Sequence, residues 1–292
     1  MYLESVVDNN ITYSVDMLRL KTYITYEKFS HLEFFLKTCF SDKIKKMWFS
    51  DRIMCFKYNY NIEVEEGKSF YFGFHCNNEK LKFDKPEVAY NFTLEFNPNK
   101  LGDNDIILYI LKMSGTWFLR RLDLACDLKI NILDLIFDLS GKHVNHTILK
   151  GYDDKTVYLG KGDSAVKIYN KKKESNLKID YDLTRVEMTL SFDDFLINNA
   201  KLFYLNEDIF PTIYLNNYLY SFSDYKDRTL LAVLYAVQSG FPINDLSVVY
   251  KRKIKALLNA GHKIKFNKKS ASEVVRRIFF HYFMQVDDFR WK

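Results

Sequence analysis

The sequence predicts an α+β fold: a largely antiparallel sheet from repeated β-α-β-β units with helices on one face, plus a helical C-terminal region. Three observations predict it. A strand, helix, strand, strand order of hydrophobic patterns opens the chain, and its strand-helix-strand beginning recurs after Pro86. Neighbouring strand patterns are separated by short turns, which only antiparallel pairing allows. Beyond about residue 192, the two-residue alternation gives way to helical periodicity.

The elements follow in order. "SVDMLRLKTYI", Ser14 to Ile24, alternates as a strand, and "YEKFSHLEFFLKTCF", Tyr26 to Phe40, carries apolar residues at helical spacing. "RIMCFKYNYNIEVEEGKSFYFGFHCN" reads as two strands around a turn at Glu66 and Gly67. After Pro86 come strand "AYNFTLEFNP", helix "DNDIILYILKMSG" with Asp103 or Asn104 as its N-cap, and strand "TWFLRRLDLACDLKI". A short helix is expected over Ile132 to Leu139, then a hairpin in "KTVYLGKGDSAVKIYNKKK" and a strand in "LTRVEMTLSF". "RTLLAVLYAVQSG", "VVYKRKIKALLNAGH" and "ASEVVRRIFFHYFMQ" are helical. This divides the chain into an α+β unit over residues 1–192 and a helical region over 193–292, with the two packed together.

The 292 residues are 48% hydrophobic and 27% charged, the balance of an ordinary globular protein. No apolar run approaches the roughly 18 residues of a membrane span, and the N-terminus lacks a basic-then-apolar leader. Cys39, Cys55, Cys76 and Cys126 include no CxxC pair, so neither a zinc ribbon nor a disulfide framework is signalled. These features imply a cytoplasmic chain that does not engage membranes. The formal charge of +6 is mild, but eight Lys or Arg and no acid fall between Leu246 and Ser272. Lys251, Arg252, Lys253 and Lys255 there are candidate phosphate contacts, suited to salt-sensitive binding of nucleic acid.

Side chains two apart on a strand share a face. In "AVKIYNK", Val166, Ile168 and Asn170 oppose Lys167, Tyr169 and Lys171. In "TRVEMTL", Val186, Met188 and Leu190 oppose Arg185, Glu187 and Thr189. In "RRLDLACDLKI", Leu122, Leu124, Cys126 and Leu128 oppose Arg121, Asp123, Ala125 and Asp127. If the three strands adjoin, their polar faces collect a tyrosine, carboxylates, arginines and lysines. Carboxylates suit Mg2+ or Mn2+, and a tyrosine hydroxyl can attack phosphorus. Adjacent cations such as Lys167 are expected to favour its phenolate. Asp123 and Asp127 are four strand residues apart, roughly 13 Å, so Asp123 pairs better with Glu187 around one ion and Asp127 is held in reserve. Arg121 and Arg185 would grip phosphate or pair with these carboxylates.

In their order, these segments resemble the Rep_trans family, replication initiators of small staphylococcal rolling-circle plasmids, related to relaxases of conjugative elements. The resemblance rests on Arg121 with Asp123, Tyr158 with Gly160 and Ser164, Tyr169 with Lys171, and Arg185 with Glu187. It departs at "GKGDS", where Asp163 replaces a basic residue. The resemblance implies a sequence-specific endonuclease and strand transferase that nicks one strand of a double-strand origin. Tyr169 would be the nucleophile forming a 5′-phosphotyrosine, assisted by Arg185, Lys167 and a divalent metal on Asp123, Glu187 or Asp127. Lys171, Lys172, Lys173 and Arg121 would contact DNA. A homodimer and a host helicase are implied by the same likeness. A relaxase that starts conjugative transfer would use identical chemistry, and a DNA-binding module without catalysis is the alternative from another class. The His-hydrophobic-His motif of other nickases is absent, and His143 with His146 lacks a third ligand nearby.

Overall fold

Apolar alternation produces thirteen strands among the residues described in a computed structural model. It describes residues 6–8, 11–49, 56–76, 79, 85, 87–137, 146–150, 155–160, 165–197, 203–205, 209–215, 227–238, 241, 243–260 and 263–284. The strands are β1 (Val6–Asp8), β2 (Ile11–Thr25), β3 (Lys46–Phe49), β4 (Phe56–Glu65), β5 (Lys68–Cys76), β6 (Ala89–Phe96), β7 (Phe118–Leu128), β8 (Leu135–Phe137), β9 (His146–Lys150), β10 (Lys155–Leu159), β11 (Val166–Asn170), β12 (Thr184–Leu196) and β13 (Ile213–Leu215). Eleven of them form one antiparallel sheet in the order β3-β4-β5-β6-β2-β7-β12-β11-β10-β9, with β1 paired to β2. β8 and β13 make a separate pair.

The helices are α1 (Tyr26–Thr38), α2 (Pro98–Leu101), α3 (Asp105–Lys112), α4 (Lys171–Glu174), α5 (Arg228–Gln238), α6 (Val248–Ala260) and α7 (Lys268–Phe279). Thr25 caps α1 by accepting the Lys28 N–H, and Asn104 caps α3 by accepting those of Ile106 and Ile107. Each cap satisfies amide groups that have no partner inside the helix. Phe29, Leu32 and Leu36 of α1 are buried on the apolar face of the sheet, where Phe29 stacks on Phe74 at 4.2 Å. Leu101, Ile107, Ile110, Val274, Ile278 and Phe279 complete the same core from α2, α3 and α7.

The division after residue 192 falls inside β12, whose Phe195 and Leu196 still pair with Leu119 and Phe118. α7 also packs on the first core: the Tyr13 hydroxyl accepts the Asn267 N–H at 2.7 Å, and Tyr282 donates to the Gly102 carbonyl at 2.8 Å. A second, smaller core lies between α5 and α6, where Leu230, Leu234, Ile254 and Leu258 meet Ile136 and Tyr214 from β8 and β13. The short helix expected over Ile132 to Leu139 is instead a single 3-10 turn, Ile132–Asp134, followed by β8. Leu135, Ile136 and Phe137 are all buried. A strand that serves both cores buries both faces and leaves no exposed stripe for a helix.

Inward side chains on the central strands alternate, with breaks that have a purpose. On β2, Ile11, Tyr13 and Val15 face the core, and then Leu18, Leu20 and Ile24 do. The phase slips because the register with β7 shifts between Val15 and Met17, a β-bulge that inserts Asp16. Leu124 of β7 lies fully buried behind the polar face between Asp123 and Ala125. Leu124→Ala is expected to cost about 2–5 kcal/mol of folding free energy, read as a lowered urea midpoint.

Candidate functional site

The three polar faces predicted from sequence do adjoin, because β11, β12 and β7 are consecutive in the sheet. Arg185 of β12 stands directly opposite Tyr169 on one side and Asp127 on the other. Glu187 stands opposite Lys167 and Ala125, and Thr189 opposite Asp123. Glu187 is therefore diagonal to both Asp123 and Asp127, roughly 7–8 Å away across the backbone.

Arg185 is the fixed point of this surface. Its Nε and Nη2 donate to the two oxygens of Asp127, both at 2.6 Å, and its Nη1 donates to Asp16. Burial disfavours the guanidinium charge, but the hydrogen bonds and charges of Asp127 and Asp16 outweigh it and hold Arg185 protonated. Arg121 makes a second fork, donating to Asp123 at 3.0 and 3.1 Å. Both arginines pair with carboxylates, one of the two roles expected of them.

Tyr169 is 4% exposed. Its hydroxyl donates to Glu187 Oε2 at 3.1 Å. Lys167 Nζ sits 4.1 Å from the centre of its ring and Lys171 Nζ 5.8 Å away. Arg185 favours the phenolate as expected of a neighbouring cation, but it does not prevail. Burial and the Glu187 charge push the phenol well above its ordinary value, and Arg185 offsets them only in part. The lysines face the ring rather than the oxygen, which explains their weak effect. Glu187 is itself pushed up, first by burial, then by the charges of Asp16 and Asp123. A carboxylate of raised proton affinity, bonded to a phenol, is arranged to accept that phenol's proton.

Tyr169 borders an open cleft of about 350 Å3 lined by Thr156, Tyr158, Lys167, Asn170, Lys173 and Glu174. The lysine run is one helical turn, α4, whose first amides are capped by Asn170 accepting the Lys173 N–H. Lys171 pairs with Glu174 at 3.0 Å, while Lys172 and Lys173 line an adjoining cleft of about 410 Å3. On α6, Arg252 is exposed and Lys253 pairs with Asp227 at 3.1 Å. Lys251 and Lys255 are half-buried beside the second core. These four cations belong to a helix separate from the Tyr169 cleft.

Sequence reasoning missed Asp16 and Ser14. Ser14 is 8% exposed, lies opposite Ala125 on the polar face, and its hydroxyl has no hydrogen-bond partner in the structure. The signal was the broken alternation at Asp16 and Met17. Among the described residues, no group of three or more His, Cys, Asp and Glu is placed to hold a metal ion. Mg2+ commonly uses one or two carboxylates and keeps several waters; Asp123 with Glu187 would meet that requirement only on release of Arg121, whose fork holds both oxygens of Asp123. The charges that raise Glu187 are negative potential that a cation would relieve. Asp127 is already taken by the Arg185 fork. Ser164, Asp163 and His143 lie outside the described residues, as does the side chain of His146.

No protein-family model matches the chain, and no curated protein matches it. Among solved structures, it is similar to a rolling circle replication initiator protein from Geobacillus stearothermophilus, with a TM-score of 0.41 and 11% identity over 88% of this chain and 99% of that one. A likeness of that size fixes no activity. Among the described residues, no helix is long and apolar enough to cross a membrane.

Two outcomes follow from the electrostatics. Asp127→Ala removes the bidentate partner of a buried guanidinium, leaving it only Asp16, and is expected to destabilise by about 3 kcal/mol, whereas Asp194→Ala, at the exposed Arg120 pair, should cost less than about 1 kcal/mol; chemical denaturation compares them. For Glu187, the raised value means the folded protein binds more protons than the unfolded chain, so stability falls as pH rises through that raised value. In metal-free buffer, Glu187→Gln should therefore melt at a higher temperature than wild type at neutral pH. The difference should vanish below the ordinary carboxylate range.

Proposed function

We propose that this protein is a DNA nicking and rejoining enzyme that initiates rolling-circle replication, with Tyr169 as nucleophile. The observation that carries this reading is the hydrogen bond from the Tyr169 hydroxyl to Glu187 Oε2 at 3.1 Å, beside a cleft bearing Lys167 and Lys173.

The chemistry follows from the geometry. Tyr169 Oη attacks the phosphorus of one phosphodiester as its proton passes to Glu187. The 3′ oxygen leaves, protonated by solvent, and the 5′ phosphate becomes a phosphotyrosine. Attack by the 3′ hydroxyl reverses the step and rejoins the strand. Because the phenol resists ionisation, its proton must leave together with attack rather than before it. Arg185, immobilised by Asp127 and Asp16, opposes part of the charge that would otherwise keep Tyr169 neutral. Mg2+ or Mn2+ would be held by the second oxygen of Glu187 and by Asp123, with Arg121 released from Asp123 to the phosphate, and would supply polarisation of the phosphate and stabilisation of the departing oxygen. Lys171, Lys172 and Lys173 would contact the flanking backbone, while Lys251, Arg252, Lys253 and Lys255 on α6 would supply sequence-independent affinity for origin duplex. A homodimer and a host helicase belong to the same reading.

The test is a covalent adduct. The protein, incubated with Mg2+ or Mn2+ and single-stranded or supercoiled DNA of its own replicon, should form a protein-DNA species that survives a denaturing gel. Tyr169→Phe and EDTA should each abolish it, with DNA affinity nearly unchanged in Tyr169→Phe. Glu187→Gln should slow adduct formation about 100- to 10,000-fold, the usual contribution of a positioned base. No adduct on any such DNA would leave a non-catalytic DNA-binding module.

A further inference from the structure

One exposed aromatic on the polar face is not used by the nicking chemistry. Tyr158 of β10 is 37% exposed and stands directly opposite Lys167 in the β10-β11 pairing. Side chains at directly paired positions share a face, so the Tyr158 ring lies on the same face as Tyr169. It is one strand over and two residues along. That diagonal spans roughly 7–8 Å, close to the distance between a nucleotide's phosphate and its base. Both rings line the cleft of about 350 Å3, with Lys167 and Lys173 also on its wall. Lys167, the residue paired with Tyr158, is held over the Tyr169 ring at 4.1 Å.

We infer that this cleft is a nucleotide subsite for single-stranded DNA: an unpaired base next to the attacked phosphate stacks on Tyr158, and Lys167 contacts the adjoining backbone. The inference rests on the nicking reading for its register, but the subsite itself requires only stacking and charge. The physical case is specific. An aromatic ring left exposed beside a cation, on a face otherwise occupied by ion pairs, offers a base a π-surface and its phosphate a counter-charge. Stacking of this kind tolerates any base, so the subsite would demand an unstacked strand rather than a sequence. Duplex DNA keeps its bases stacked inside and cannot present one to Tyr158.

The experiment uses the full chain carrying Tyr169→Phe, so that no adduct forms, with an oligomer of 5-iodo-deoxyuridine as probe. Irradiation should crosslink the probe to Tyr158, identified by peptide mass spectrometry. Tyr158→Leu should lose that crosslink and weaken single-strand binding by about 5- to 150-fold, with duplex binding unchanged. Tyr158→Phe and Tyr158→Trp should retain binding, since the ring and not the hydroxyl is needed. Because Tyr158 is exposed, the Leu variant should keep its fold, checked by circular dichroism. Crosslinks mapping only elsewhere, or equal affinity of the Leu variant for single strands, would overturn the subsite. In otherwise wild-type protein, an adduct that forms equally well with Tyr158→Leu would count against the subsite and leave the nicking reading intact. A Tyr158 crosslink without any adduct from wild-type protein would uphold the subsite and defeat the nicking reading.

Discussion

The polar face depends on one buried charge. Arg185 is about nine-tenths out of water, and a guanidinium in that position is tolerated only if its donors are matched. The match comes from two strands at once: Asp127 on β7 takes one edge of the fork, and Asp16 on β2 takes the remaining nitrogen. Three neighbouring strands are thereby tied across their polar side, while Leu124, Val186 and Val15 are buried on the apolar side. The bulge at Asp16 is part of this arrangement. Without the extra residue, β2 would present no carboxylate at that height, and Nη1 of Arg185 would lose its partner, leaving Asp127 alone to match the charge.

That clamp sets the conditions for the two groups at the centre of the site. Tyr169 and Glu187 are each disfavoured in their charged form by burial; the Glu187 charge makes the phenol harder to ionise, while the phenol's hydrogen bond eases the ionisation of Glu187 in part. The hydrogen bond between them is the arrangement that satisfies both with one proton. A face built only for solubility would have left these groups apart and hydrated. Here the stability lost in burying a carboxylate near Asp16 and Asp123 is retained in a form that chemistry can use, as strained or desolvated groups often are at functional sites.

The C-terminal region divides its duties. α7 belongs to the sheet, docked through Asn267 on Tyr13 and through Tyr282 on Gly102. α5 and α6 instead share a small core of their own with β8 and β13, and carry the basic residues Lys251, Arg252, Lys253 and Lys255 on a helix away from the cleft. The break between units is therefore not a point in the sequence. One segment leaves the sheet and a later one returns to it.

The sequence by itself determined the long strands, the main helices, the cap of α3 and the polar faces of β7, β11 and β12, because these depend on periods of two and 3.6 residues that are written locally. It also singled out Tyr169, Arg185, Glu187, Asp123 and Arg121, since residues on one face of a strand can be read from parity alone. Only the tertiary structure decided that these strands lie side by side, that Asp16 and Ser14 join them, and that Asp127 serves Arg185. It likewise decided the direction of the Tyr169 shift. Those outcomes depend on register between segments 18 to 169 residues apart and on how much water each group loses on packing, and neither quantity is encoded in any short stretch of chain. The strand at Leu135 to Phe137 shows the same division: its apolar run is visible locally, but burial on both sides, which makes it a strand and not a helix, comes from two cores meeting there.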